Sequence, residues 1–230
     1  MQWDDRGMSG VSERTYGGQS AQARRTERRA RLIDAALDVM AGNDWRSVTV
    51  DKLCVAAGLN KRYFYESFTD LDAVAAAAVD DIAAEVGAAT LAAAVAAAGE
   101  PIERQAVAAV DAVVRQLVDD PRRARVLLGG VAASPALHRH RDDVMRGLTA
   151  VLVGHARTVH GVELAKDPLA EVAPAFVIGG TADAILAFVD GRARVSVDEL
   201  VDSLATLWLI TGNGAADLAR SRVESSASDD

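Results

Sequence analysis

Hydrophobic residues recur every three or four positions along most of the chain, and glycine or proline interrupts the runs. The first run extends from Arg24 to Ala41, and its apolar side chains fall on one face of a helix. Those side chains are Ala30, Ile33, Ala36, Leu37 and Met40. No segment alternates between apolar and polar residues with the period of a strand. The pattern therefore predicts an all-α fold.

Two short helices are predicted after the first. Thr49 is a residue type that caps the free amides of a first helical turn, and the helix that it caps extends to Ala57. Gly58 supplies a turn, and Asn60 caps a third helix that extends through Tyr65. Two short helices joined by a glycine turn, the second opening with polar and basic residues, are typical of a helix-turn-helix that enters the DNA major groove.

Six further helices are predicted downstream, beginning at Leu71. Their predicted bounds are 71–98, 101–118, 122–128, 136–160, 168–190 and 196–211. The first 23 residues (1–23) are rich in Gly, Ser and Gln without an apolar period, so we expect a flexible N-terminal arm. The polar tail 213–230 is predicted to be flexible as well.

Composition favours closely packed helices in one or two compact domains. Half of the residues are hydrophobic and only 4% are aromatic, which suits helices that meet through alanine. Cys54 is the single cysteine, so no intramolecular disulfide is possible. We found no secretory pattern, and apolar runs such as 73–79 are shorter than the roughly 20 residues of a membrane helix. We therefore expect a cytoplasmic protein with no membrane partner.

Charge is distributed unevenly along the chain. The formal net charge is -8, yet the segment 24–68 holds nine Lys and Arg against six Asp and Glu, which leaves it at +3 and the remainder at -11. This asymmetry is typical of a small basic DNA-binding unit on an acidic body that DNA avoids. An exposed helix face with a chance charge bias is the alternative interpretation.

Helical period divides the side chains of the third helix between two faces. Phe64 and Phe68 lie four residues apart and are predicted to face the core. The outward set is Lys61, Arg62, Tyr63, Tyr65 and Ser67. Lysine and arginine pair with phosphates or guanine edges, and tyrosine hydroxyls donate to phosphate oxygens.

The sequence from Thr49 to Phe68 resembles the TetR/AcrR family of transcriptional regulators. The resemblance covers about 29–74 and rests on the threonine that opens the second helix, the Ala-Gly of the turn, Tyr65 and Phe68. It implies a three-helix DNA-binding domain over 24–70 and a helical effector-binding and dimerisation domain over 71–212.

The resemblance also implies a function. A homodimer would bind a palindromic double-stranded DNA operator and repress transcription until a small molecule releases it. Thr49 and Tyr65 would then hold phosphates. The full set of candidate DNA-binding residues is Thr49, Lys52, Lys61, Arg62, Tyr63, Tyr65 and Ser67.

Two positions depart from the family pattern. Leu71 stands where the family usually has a lysine at the start of the fourth helix, so one phosphate contact is expected to be missing. Glu66 stands where many members have His or Tyr. Its carboxylate would either accept a hydrogen bond from a cytosine amino group or repel the DNA backbone.

The last two predicted helices are the most apolar, and they are the predicted dimer interface. Its candidate residues are Ile185, Leu186, Leu200, Leu204, Leu207 and Trp208. The alternative is that these helices only close the core of a single chain.

Alanine-rich segments supply little side-chain volume, so we expect a cavity in the body that binds a largely apolar effector. Its candidate residues are Arg115, Met145, His155 and Phe176. The alternative is tight alanine packing with no cavity.

Chemistry other than binding has no support in the sequence. The histidines, including His138 and His140, lack ligand spacing for a metal, and no nucleophile, base and acid occur in a catalytic pattern. We therefore expect no metal, no cofactor and no enzymatic activity. Three classes remain, in this order: a ligand-responsive repressor, a DNA-binding regulator without an effector, and a helical enzyme.

Overall fold

A computed structural model describes residues 20–129, 134–160 and 167–228. The α-helices of these residues are α1 (Ala21–Ala41), α2 (Val50–Ala56), α3 (Lys61–Tyr65), α4 (Leu71–Ala96), α5 (Ile102–Val118), α6 (Pro121–Ala124), α7 (Pro135–His160), α8 (Leu169–Val189) and α9 (Val197–Ser228). A 3₁₀ turn (Trp45–Ser47) precedes α2, and a π-helical turn (Arg125–Gly129) follows α6. The described residues contain no strand, and the all-α prediction is confirmed.

The three N-terminal helices pack around side chains that belong to the continuous hydrophobic core of the chain. Helix α1 packs against both α2 and α3, and the enclosed side chains are Leu32, Met40, Leu53, Cys54, Phe64 and Phe68. The predicted caps are confirmed, because Thr49 accepts from the amide of Lys52 and Asn60 accepts from the amide of Tyr63. Local capping and a shared core together place α2 and α3 as a helix-turn-helix.

The turn between α2 and α3 is locked from α1. Gly58 has a φ of 63°, a left-handed conformation that glycine adopts without steric cost. The Arg31 guanidinium donates to the carbonyl of Ala57 at 2.7 Å and to that of Gly58 at 3.2 Å. These bonds satisfy carbonyls that the end of α2 leaves open.

The body is built around α4, which packs along α1, α5 and α7, while α9 packs along α5 and α8. Small side chains let the neighbouring helices approach α4 closely, since Ala75, Ala77 and Ala78 are buried there. The larger core side chains are Val74, Val79, Val110, Val114, Leu117, Val126, Leu127, Ile185, Leu200 and Leu204.

Three arginines in and directly after α6 connect the N-terminal unit, which comprises α1, α2 and α3, with the body. Arg122 pairs with Asp34 and Asp38 of α1 and with Asp120 beside it. The hydrogen bonds from Arg122 lower the pKa of Asp120, and the same carboxylates raise the pKa of Arg122. The other two arginines reach α4 and α8, through the ion pairs Arg123–Glu85 and Arg125–Asp190.

Three predicted boundaries differ from the structure. Helix α1 begins at Ala21, because Ser20 caps it by accepting from the amide of Ala23. Helix α9 continues to Ser228, although 213–230 was predicted to be a flexible tail. Buried Ala216 and Ala219 hold this extension on the body, and Arg222 pairs with Asp167. The predicted helix 122–128 is divided into α6 and the π-helical turn.

We predict that Gly58→Ala destabilises the protein by about 1–2 kcal/mol, because an alanine at this φ is strained. Its Cβ would also lie 2.6 Å from the Arg31 Nη2. Urea unfolding at a fixed protein concentration measures the effect. The control is Gly87→Ala inside α4, where a Cβ meets nothing within 4 Å, and it should stabilise by about 0.5–1 kcal/mol. Equal effects of the two variants would contradict the assignment of the turn.

Candidate nucleic-acid interface

Helix α3 presents a polar face because its apolar face is anchored in the core. Phe64 is completely enclosed, and its ring packs 6.0 Å from that of Phe68. This anchoring leaves Lys61, Arg62 and Tyr65 exposed, with the side chain of Arg62 83% accessible. The outward face predicted from the helical period is therefore present, although Tyr63 and Ser67 are only half-exposed.

The cations of this face already have carboxylate partners. Lys61 Nζ lies 2.8 Å from Asp51 Oδ1 of α2, and the bond raises the pKa of Lys61. Arg62 Nε donates to Glu66 Oε1 at 3.0 Å, one helical turn further along. The ammonium and guanidinium groups are thus paired with carboxylates of the same chain through exposed, individually weak ion pairs.

Two candidates lie at the start of α2. The Thr49 hydroxyl accepts from the amide of Lys52, and Lys52 Nζ donates to the Ser47 carbonyl at 3.0 Å. The ion pair between Asp51 and Lys61 joins this helix start to α3. The structure therefore connects the α2 and α3 candidates into one polar surface.

The arginines at the start of α1 also belong to this surface, although the predicted set of DNA-binding residues did not include them. Arg25 Nη2 donates to the Glu66 carbonyl at 2.7 Å. The guanidinium carbon of Arg28 lies 4.3 Å from the centre of the Tyr63 ring, and Arg28 Nη2 lies 3.6 Å from Glu66 Oε2. The available signal was the basic run at 24–29, three and four residues apart on one helix face.

The three effector candidates whose side chains the structure describes, Arg115, Met145 and Phe176, do not form one site. Arg115 is engaged by Asp111 at 2.7 Å and by Asp198 of α9 at 2.8 Å, which raises its pKa. Phe176 is 69% exposed, whereas Met145 packs against the core. His155 belongs to α7, and its side chain lies outside the described residues.

A small cleft with room for about one water molecule, about 10 Å³, lies elsewhere, where α1 meets the body. Its lining residues are Met40, Val79, Val126, Leu137, His138 and Arg141, and none of the four candidates is among them. The cleft thus touches α1, α4 and α7 together. Among the described residues, no three His, Cys, Asp or Glu side chains are grouped closely enough to hold a metal ion.

The six dimer candidates divide between the core and the surface. Ile185, Leu200 and Leu204 are buried in the core of the single chain, so they are corrected to core residues. Leu186 is partly buried, and Trp208 donates from Nε1 to the Thr181 hydroxyl at 2.7 Å. Among the six, Leu207 is the prominently exposed one. The sides of α8 and α9 that face each other therefore close the core of a single chain, as the alternative interpretation held.

Leu207 and four apolar residues outside the predicted dimer set remain exposed on α8 and α9. These five residues are Val172, Phe176, Leu207, Ile210 and Leu218. By length and composition, the 21-residue helix α8 would suffice to cross a membrane, although the sequence predicted no membrane partner. Its Pro174, Thr181 and Ile185 are nevertheless buried in this chain. We name Val172, Phe176, Leu207, Ile210 and Leu218 the apolar stripe.

No protein-family model matches the sequence, and the search of curated proteins found no match. Solved structures do match. The fatty acid degradation regulator FadR of Bacillus halodurans is 19% identical with a TM-score of 0.64, over 79% of this chain and 94% of that one. FadR of Bacillus subtilis in complex with stearoyl-CoA is 18% identical with a TM-score of 0.61, over 78% and 96%.

A TetR-like transcriptional regulator of Rhodococcus sp. RHA1 is 17% identical with a TM-score of 0.64, over 84% of this chain and 97% of that one. At such identities the similarity establishes the fold. The chain therefore has the fold of TetR-type regulators, with a helix-turn-helix unit at its N-terminus and a helical body after it.

Proposed function

We propose that this chain is a cytoplasmic transcriptional regulator that binds a palindromic operator as a homodimer and represses transcription until a small, largely apolar effector releases it. The observation that carries the proposal is the helix-turn-helix itself. Its α3 is capped by Asn60 and anchored by Phe64, and it presents Lys61, Arg62 and Tyr65 outward. The same fold in solved transcriptional regulators supports this interpretation.

In this proposal α3 enters the major groove. Arg62 and Tyr63 face base edges or backbone, while Thr49 and Tyr65 contact phosphates. Lys52, Lys61 and Ser67 complete the surface. Because Lys61 is held toward α2 by Asp51, we assign it to the backbone of the DNA, where a point charge is sufficient. The phosphate contacts position the protein on the DNA, and the contacts between α3 and base edges select the operator sequence.

The second copy of the chain is proposed to cover the apolar stripe. Contiguous exposed apolar side chains on a protein surface mark interaction sites, and Phe176 and Ile210 are 69% and 64% exposed. A membrane is the competing occupant of α8. We favour a second copy because α8 already packs on α9 along its other side and carries exposed Glu171 and Asp183, which a bilayer core disfavours.

Dimerisation has a geometric consequence for the DNA. Two copies of α3 related by a two-fold axis bind half-sites whose centres are about 34–36 Å apart, or a multiple of that distance. The operator is therefore expected to be palindromic.

The proposed effector is apolar for two reasons. The structure of the Bacillus subtilis neighbour holds stearoyl-CoA, and the interior of this body is lined by alanine, valine and leucine. This cleft, at about 10 Å³, is far smaller than the roughly 300 Å³ of typical small-molecule sites. An effector that widened it would separate Met40 of α1 from Leu137 of α7, and so move the DNA-binding unit on the body.

A regulator without an effector is the second candidate, and we assign no enzymatic activity.

We predict that Tyr65→Phe weakens DNA binding about fivefold, which corresponds to about 1 kcal/mol for one lost hydroxyl contact. Thermal stability should not change, because Tyr65 is exposed. Fluorescence anisotropy with a duplex selected from a random-sequence pool measures the affinity. Thr90→Val is the matched control, since it deletes a hydroxyl on α4, about 28 Å along the helix from its first residue, Leu71. Unchanged affinity of the Tyr65 variant would remove this residue from the interface.

We predict that the chain is a dimer at micromolar concentration and that Ile210→Glu makes it a monomer, because a charge in an apolar interface is costly to desolvate. Light scattering coupled to size exclusion reports the mass. Leu91→Glu is the control, since Leu91 is 66% exposed on α4, outside the apolar stripe. A monomeric parent protein, or a dimeric Ile210 variant, would contradict the proposed interface.

We predict that long-chain fatty acids or their CoA thioesters stabilise the free protein against heat and release the bound duplex. A hundredfold loss of DNA affinity requires the ligand to prefer the released conformation by about 2.7 kcal/mol. Thermal shift and anisotropy titrations measure the two effects. Stabilisation without release would refute the coupling, and no binding of any compound would favour the regulator without an effector.

A further inference from the structure

Three arginines from two helices converge on Glu66. Arg62 of α3 donates from Nε to Glu66 Oε1 at 3.0 Å, and Arg28 Nη2 of α1 lies 3.6 Å from Oε2. Arg25, also of α1, donates to the backbone carbonyl of the same residue at 2.7 Å. Both carboxylate oxygens of Glu66 and its backbone carbonyl thus contact guanidinium groups.

The cluster lies within the proposed DNA-binding surface. Glu66 is the C-cap residue directly after α3, four positions after Arg62 and next to exposed Tyr65. Arg28 also covers the ring of Tyr63, another candidate. A negative charge therefore stands where the proposed function requires DNA phosphates to approach.

A pairing within α3 alone does not account for this arrangement. An exposed pair one helical turn apart contributes only about 0.3–0.5 kcal/mol to a helix. It also gives no reason for Arg25 and Arg28 to reach the same residue from α1, 41 and 38 positions earlier in the chain. What the arrangement does achieve is a partial screening of two cations, Arg28 and Arg62, that would otherwise attract any DNA backbone.

We propose that Glu66 is a selectivity-determining residue that occupies, on Arg28 and Arg62, the place of a DNA phosphate. This inference rests on the proposed function. In free protein the two guanidinium groups are already paired, so non-specific DNA gains less from them and releases fewer counterions. An operator also provides base contacts to α3, and these offset the cost of separating Glu66 from its arginines.

The test is Glu66→Gln, which keeps the shape of the side chain and removes its charge. Binding to a 30-base-pair duplex of arbitrary sequence is measured by anisotropy from low to physiological salt. We expect affinity at low salt to rise about two- to fivefold, the range of one exposed ion pair. The slope of log affinity against log salt should steepen by about 0.9 for each arginine that gains a phosphate.

Glu103→Gln is the matched control, because Glu103 is exposed at the start of α5 and the charge change is the same. It should alter neither affinity nor slope. Arg62→Ala is made both in the parent protein and in the Glu66→Gln variant. It should flatten the slope of log affinity against log salt more in the Glu66→Gln background than in the parent. This comparison also remains valid if Glu66→Gln lowers thermal stability, provided that the variants are folded at the assay temperature.

Several results would overturn the inference. An unchanged slope and affinity in Glu66→Gln would show that Glu66 does not compete with phosphate, and weaker binding would show that it supports the DNA contact instead. In both cases the proposed function stands, because the parent protein still binds DNA. A parent protein that binds no duplex at low salt would remove the proposed function together with this inference.

Discussion

Helix α3 is held in place by the ring of Phe64, which is completely enclosed among the side chains of the N-terminal unit. The helix has only five residues, and an isolated helix of that length is not stable in water. Burying a phenylalanine side chain contributes about 1.5–3 kcal/mol, and Phe68 adds a second apolar contact four residues later. The orientation of Lys61, Arg62 and Tyr65 toward solvent therefore depends on the burial of this ring.

Local features of the fold were predictable because a few adjacent residues determine them. A cap such as Asn60 and a left-handed glycine such as Gly58 act within one helical turn, so the sequence shows them directly. The period that buries Phe64 and exposes Lys61 is local as well. The all-α class and the helix-turn-helix followed from these signals alone.

The remaining features depend on contacts between distant segments. Helix α8 is apolar around most of its circumference, so its sequence contains no period that distinguishes its α9-facing side from its exposed side. Ile185 was therefore predicted at an interface although it is core, and Phe176 was predicted in a cavity although it is exposed. Likewise, nothing near Glu66 in the sequence indicates that Arg25 and Arg28 reach it from α1.

The N-terminal unit is not independent of the body, since Arg122 joins α1 to α6 through Asp34 and Asp38. Exposed ion pairs taken singly contribute little to stability, but three carboxylates around one guanidinium fix a geometry. Arg123 and Arg125 extend the connection to α4 and α8.

A displacement of the body at α6 must therefore either move α1 or break these pairs. Since α1 also carries Arg25, Arg28 and Arg31, such a movement would reach both the helix-turn-helix turn and the arginines around Glu66. In the proposed function, a shift in the body would then change the candidate DNA-binding surface without any contact between an effector and the DNA.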